Sequence, residues 1–188
     1  MTLARGIRSA VVATALIVAL AACGTEPRGG ADRMPGERSD GASFTAVDDA
    51  PAAPSLEGEL VDGTPVDLDA LAGGRPLVVQ FAATWCSTCA DQEAALAAVA
   101  RDYGDDLAIA IVTGDEDSAD VTAYLDRRGL PYPVVADPDL RIWRAYAVTE
   151  PPATALIDAE GGLVRLWPGG AVEATMREQL DRIITAAG

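Results

Sequence analysis

One hexapeptide constrains this chain more than any other. Leu77-Val78-Val79-Gln80-Phe81-Ala82 is an almost unbroken apolar run. A strand of that kind has no polar face to offer water, so it belongs inside a sheet that is covered on both sides. Directly behind it comes the turn Ala83-Thr84-Trp85-Cys86-Ser87-Thr88-Cys89. From Ser87 to Tyr103 the chain is alanine-rich, with Leu96, Val99 and Tyr103 at helical spacing. A second apolar run, Leu107 to Val112, follows. Strand, helix and strand in this order make a βαβ unit with a right-handed crossover. The turn with its two cysteines then falls at the carboxyl edge of a central strand, where open α/β folds place their chemistry.

The remaining punctuation extends this unit. Asp62-Gly63, between alternating apolar residues from Leu56 to Leu68, predicts a hairpin. Ser118 is read as the cap of a helix that carries Val121, Tyr124 and Leu125 and stops at Gly129. Pro133 to Ala136 reads as a short strand and Asp139 to Tyr146 as a short helix. Ala153 to Ile157 and Leu163 to Trp167 flank a turn, Asp158 to Gly162, and form a second hairpin. Val172 to Ala186 closes the chain as an amphipathic helix through Met176, Leu180, Ile183 and Ile184. The fold class is therefore α/β: a mixed central sheet with helices on both faces and an N-terminal β-hairpin.

Composition removes most alternatives for the chemistry. The 188 residues contain no His, and all 14 basic residues are Arg. Catalytic triads and His-ligated zinc sites are excluded with imidazole. P-loop NTPases, Schiff-base enzymes and protein kinases are excluded with lysine. The net charge of −15 argues against nucleic acid as a partner, because that grip needs a basic patch. Three cysteines remain. Asp115, Glu116, Asp117 and Asp120 read as an acidic loop at a helix N-terminus rather than as a calcium site.

The N-terminus reads as an address. Arg5 and Arg8 precede an apolar run from Ala10 to Ala22, too short for the roughly 20 residues of a spanning helix. The run ends in Leu20-Ala21-Ala22-Cys23, which resembles the bacterial lipoprotein box. The resemblance implies a signal peptide over 1–22, lipid on Cys23, and a membrane-anchored protein on the extracytoplasmic face of the cell membrane, where disulfides persist. Gly24 to Ala53 has a polar composition with Phe44 its only aromatic residue, and is expected to be a disordered tether over 23–53 with a reach on the order of 30 Å. The folded domain is expected over 54–188.

Two cysteines three apart at a helix start lie one turn from each other, close enough to form a small disulfide ring. Cys86 is expected on the first helical turn, where unpaired N–H groups and the helix dipole lower a thiol pKa. Cys89, one turn inside, is shielded and suits a resolving role. With no basic side chain nearby, backbone dipoles must activate Cys86. A CxxC pair alone is half of a zinc site, and its other half is missing, so no metal and no cofactor beyond the cysteine pair is expected.

The segment from Leu56 to about Ala186 resembles the TlpA/ResA-type branch of the thioredoxin fold. The resemblance rests on the hairpin leading to Leu77–Phe81 and on Trp85-Cys86-Ser87-Thr88-Cys89. It rests also on Tyr146-Ala147-Val148 with Pro152-Ala153-Thr154-Ala155-Leu156-Ile157-Asp158, and on Gly161-Gly162-Leu163-Val164. Arg141 to Tyr146 is similar to secreted actinobacterial members called DsbE-like. The family implies a thiol–disulfide oxidoreductase acting on exported proteins with thiols or disulfides, recharged by a membrane electron donor. It implies a cis-proline at Pro152. The residue before it, Pro151, would face bound substrate but has no N–H to give. Trp85 is expected to contact partners. Two positions depart from the family. Buried acids stand in relatives where this chain has Gln80 on the strand and Gln92 three residues after Cys89. Neither glutamine can carry a proton from the resolving thiol. Water or the neighbouring Glu93 would have to do so, or turnover is slower.

The reducing direction is slightly favoured over the oxidising one. A peroxide-reducing redoxin is an alternative, although only Thr84 of its usual surroundings is present. A tethered binding or chaperone module is another, and it would not need both cysteines.

Overall fold

The computed structural model describes residues 29–38, 42–114 and 118–185. Nine strands and five α-helices are defined among them, with two short 3-10 turns at Ala31–Arg33 and Gly104–Asp106. The strands are β1 (Ser43–Phe44), β2 (Gly58–Leu60), β3 (Pro65–Val66), β4 (Leu77–Ala82), β5 (Ala108–Thr113), β6 (Val134–Ala136), β7 (Ala153–Ile157), β8 (Leu163–Pro168) and β9 (Ile184–Thr185). The helices are α1 (Leu68–Ala72), α2 (Cys89–Tyr103), α3 (Ser118–Arg128), α4 (Arg141–Ala145) and α5 (Glu173–Ile183).

Seven strands form one mixed sheet in the order β3-β2-β6-β5-β4-β7-β8. β4, β5 and β6 run parallel, and β2, β7 and β8 pair antiparallel with their neighbours. Every residue of β4 and β5 is buried, as an unbroken apolar run requires. One face packs Val78, Ile109 and Ile111 under α2, α3 and α5 through Leu96, Val99, Leu125, Met176 and Leu180. The other packs Val79, Phe81 and Val112 under α1 and α4 through Leu71, Ile142 and Trp143. The Phe81 and Trp143 rings meet edge to face, with centroids 6.0 Å apart. This is the α/β thioredoxin-type arrangement expected, with helices on both faces and the hairpin β2–β3 at the start.

Three elements differ from expectation. Helix α1 fills what reads as the end of the hairpin: Asp67 caps it by accepting the Ala70 N–H, and Gly73 ends it at φ 56°. Five residues hold too little periodicity to announce themselves. Helix α2 starts at Cys89 and not at Ser87. The stretch before Pro54, expected to be a tether without structure, is held to the domain at several points among the described residues. Phe44 packs on the α2–α5 side and β1 pairs with β9. Asp158 accepts the Val47 N–H, and the Leu163 N–H reaches Pro51 O at 2.7 Å. Further out, the Val134 N–H donates to Gly29 O and the Ala31 N–H to Asp62. Each of these bonds is donated by a backbone N–H, two of them to the carboxylates of Asp158 and Asp62, and a backbone donor leaves no trace in composition. Cys23 and residues 1–28 lie outside the described residues, as do 115–117 of the acidic loop. Among the described residues no helix is long and apolar enough to cross a membrane.

Candidate active site at the carboxyl edge of strand β4

Strand β4 ends at Ala82, and the chain turns through 83–88 before α2 begins. The Cys86 N–H donates to Ala83 O at 3.0 Å and closes that turn. Cys86 and Cys89 are joined as a disulfide, with S–S 2.07 Å and Cα–Cα 5.5 Å. Cys86 therefore sits ahead of the helix and not on its first turn; Cys89 is the first helical residue. The electrostatic consequence survives this correction. The Cys89 N–H, one of the donors that a helix start leaves unpaired, points at Cys86 Sγ at 3.1 Å. Thr88 Oγ1 lies 3.6 Å from the same sulfur. When the pair is reduced, both groups favour a thiolate on Cys86. Cys89 is 1 % exposed and Cys86 6 %, while the adjacent Trp85 is 66 % exposed.

The peptide bond between Pro151 and Pro152 is cis. Pro152 is buried and Pro151 half-buried. Pro152 and Thr88 line the same open cleft of about 400 Å³ beside the disulfide.

Gln80 and Gln92 meet under this cleft. The Thr154 hydroxyl, one strand position beyond Ala153, lies 2.8 Å from Gln80 Oε1 and 3.0 Å from Gln92 Oε1, and donates to one of them at a time. Gln80 Nε2 donates to Phe81 O. Gln92 Nε2 donates to Ala171 O at 2.6 Å, and the Ala171 N–H donates back to Gln92 Oε1. Gln92 thus uses both ends of its amide on one backbone residue. All three side chains are buried, and nothing in the network carries a charge.

Glu93 faces elsewhere. Its carboxylate accepts the Tyr124 hydroxyl on α3 and lies 3.4 Å from the Arg128 guanidinium. Burial first, and this carboxylate second, push the Tyr124 phenol well above its ordinary pKa. Glu93 is thus tied to α3, and the structure gives it no part in the network around Gln92. Thr88 belongs to the reactive motif read from the sequence, whereas Thr154 and Ala171 are not singled out by it. Thr154 stands inside a family-like stretch but matters only through where β7 places it, and Ala171 acts through its backbone. Among the described residues no group of three or more His, Cys, Asp or Glu is placed to hold a metal ion.

The redoxin family profile matches residues 46–184, well over half of the chain, and the chain belongs to that family. Within it, the protein is of the TlpA/ResA/DsbE type and is a thiol–disulfide oxidoreductase. It is 28% identical over 126 residues to the thiol-disulfide oxidoreductase ResA of Halalkalibacterium halodurans, covering 66% of this chain and 71% of that one. Among solved structures, the exposed lipoprotein thioredoxin Etrx1 of Streptococcus pneumoniae is 28% identical with a TM-score of 0.58, covering 69% of this chain and 99% of that one. A secreted Mycobacterium tuberculosis disulfide oxidoreductase homologous to DsbE shares the fold at 20% identity and a TM-score of 0.59, over 68% of this chain and 96% of that one. Enzymes of this kind carry their electrons on the cysteine pair itself.

Proposed function

We propose that this protein exchanges disulfides with exported proteins outside the cytoplasmic membrane, anchored there by lipid on Cys23, with the reducing direction slightly favoured over the oxidising one. The observation that carries the reading is the asymmetry at the sulfur pair: Cys86 Sγ faces the Cys89 N–H and Thr88, and Cys89 is almost fully buried. The Cys86 thiolate attacks one sulfur of a partner's disulfide, forms a mixed disulfide and releases the partner's other sulfur as a thiolate. Cys89 loses its proton to water and attacks Cys86 Sγ. That closes the Cys86–Cys89 disulfide and frees the second partner thiol, so two electrons have moved to the partner. A dithiol donor at the membrane reverses the same steps to recharge the pair. The exposed lipoprotein relative and the lipoprotein-like box at Leu20–Cys23 support the location.

The direction depends on the redox potential of the pair, which thioredoxin-fold proteins spread over roughly 150 mV. The test is the equilibrium of Cys86–Cys89 against glutathione, with insulin reduction and oxidative refolding of a reduced protein run side by side. A potential near the reducing end and insulin reduction well ahead of refolding are expected. A strongly oxidising potential would reverse the direction. Full activity of Cys86→Ser in both assays would remove the reading.

A further inference from the structure

The cleft beside the disulfide has walls of a particular chemistry. It begins at Thr88 and Pro152, runs along Asp91 and Gln92 of α2, and ends at Val172 and Glu173 at the start of α5. Val172 is 71 % exposed and Trp85 66 %, and these are the only large apolar side chains left exposed among the described residues. Both lie at the active end of the molecule. A soluble surface has no use for two such side chains next to a reactive sulfur unless something covers them.

The charge of the cleft has one sign. Its charged lining residues are Asp91 and Glu173, and no arginine lines it. Glu173 is held by Arg177 at 2.9 Å, whereas no cation stands within ion-pair distance of Asp91 among the described residues. The whole chain, at −15, adds a negative field of longer range.

The far wall is built to hold its shape. Gly169 and Gly170 turn through φ 79° and 90°, and a Cβ on Gly170 would fall 2.1 Å from Gln92 Oε1. Gln92 then clamps Ala171 by both its N–H and its carbonyl. The wall is thus set before any partner arrives, which lowers the ordering cost of binding. The opposite lip offers less, since Pro151 has no N–H to pair with a partner's backbone. Side-chain contacts in the cleft must therefore carry more of the recognition.

We propose that this cleft selects partner segments in which the reactive cysteine is flanked by an apolar and a cationic side chain, the first covering Val172 and the second meeting Asp91 and Glu173. This rests on the disulfide-exchange reading above.

The test uses the oxidised protein and three short peptide thiols identical except for one residue beside Leu and Cys: Arg, Gln or Glu. Second-order exchange rates are measured at low and high salt. The Arg peptide is expected to exceed the Glu peptide on the order of 10-fold at low salt, with the gap closing as salt screens it. In the double variant Asp91→Asn, Glu173→Gln that ratio is expected to fall several-fold. A control that removes two exposed charges elsewhere, Asp69→Asn with Asp105→Asn, is expected to keep it. Equal rates for the three peptides would overturn the proposal. So would a preference that both double variants lose alike, because the general field alone would then account for it. Failure of every peptide and of dithiothreitol to exchange would overturn the underlying reading instead, and the proposal with it.

Discussion

Two buried polar clusters in this molecule are built on opposite plans. Beside the disulfide, Gln80, Gln92 and Thr154 satisfy one another and Ala171 without a charge. In the turn between β7 and β8, a single carboxylate does the work: Asp158, 2 % exposed, accepts the N–H groups of Val47, Glu160 and Gly162. Backbone donors in fixed positions can hold a buried carboxylate, because charge-assisted hydrogen bonds replace the water it loses. Such an anchor is tolerable far from chemistry. Next to a sulfur that must ionise, an uncharged network leaves the local field independent of pH. The difference separates a part that holds the chain together from a part that reacts.

The sharpest way to break this comparison is Cys86→Ser. It is expected to lower insulin reduction on the order of 10³-fold or more. Thermal unfolding under reducing conditions should hardly move. Asp158→Ala should do the opposite. Three donors would lose their acceptor, and denaturant unfolding should show a loss of about 2–4 kcal/mol. The exchange rate of the folded protein should change by less than about twofold, since the two sites share no partners. An Asp158→Ala protein that is stable but slow would erase the distinction.

Gln92→Glu tests the neutral plan itself. A carboxylate can accept from the Ala171 N–H, yet it confronts the Ala171 carbonyl where the amide donated. A loss of roughly 1–2 kcal/mol at neutral pH is expected. The folded-state pKa of this new carboxyl should be raised. Its stability should then be highest below the unfolded carboxyl value, about 4, and fall as pH rises through the folded value. Unfolding curves across pH would show it. A stability difference from the native protein that does not change with pH would mean the amide is not needed as a donor.

The smallest effect belongs to Asp62, which pins the N-terminal segment through the Ala31 N–H. Desolvation pushes its carboxyl up, but the N–H groups of Ala31 and Thr64 outweigh that and hold it below its ordinary value of 3.8. Its contribution is present above that value and is lost as pH falls through the lower folded value. Protection of the Ala31 amide against hydrogen exchange, taken relative to its intrinsic rate at each pH, should fall in that acid range for the native protein. In Asp62→Asn the protection should be lower and should not change through that range.

Much of the architecture can be read directly from residue order. Leu77–Ala82 and Leu107–Val112 read as buried strands, Asp62-Gly63 marks the hairpin, and Trp85-Cys86-Ser87-Thr88-Cys89 marks the reactive turn. The cis bond at Pro152 followed from family resemblance and stands in the structure. What escaped has a common cause. The pairing of β1 with β9 and the bond from Val134 to Gly29 are made wholly by backbone groups, and the clamp of Gln92 closes on the backbone of Ala171. Every residue carries those groups, so no residue type announces them.

The same reason divides the site. Sequence alone determined that two cysteines three apart follow a central strand, with no imidazole or lysine to help them. Periodicity, apolar runs and the absence of residue types are properties of the chain itself. Only the tertiary structure decided that Cys86 stands just ahead of the helix with the Cys89 N–H aimed at its sulfur. It alone turned Glu93 towards Tyr124 and Arg128, and brought Gln80, Gln92 and Thr154 from three separate elements into one uncharged network. Those are directions and distances between segments far apart in the chain, and they exist only once the sheet has set its register.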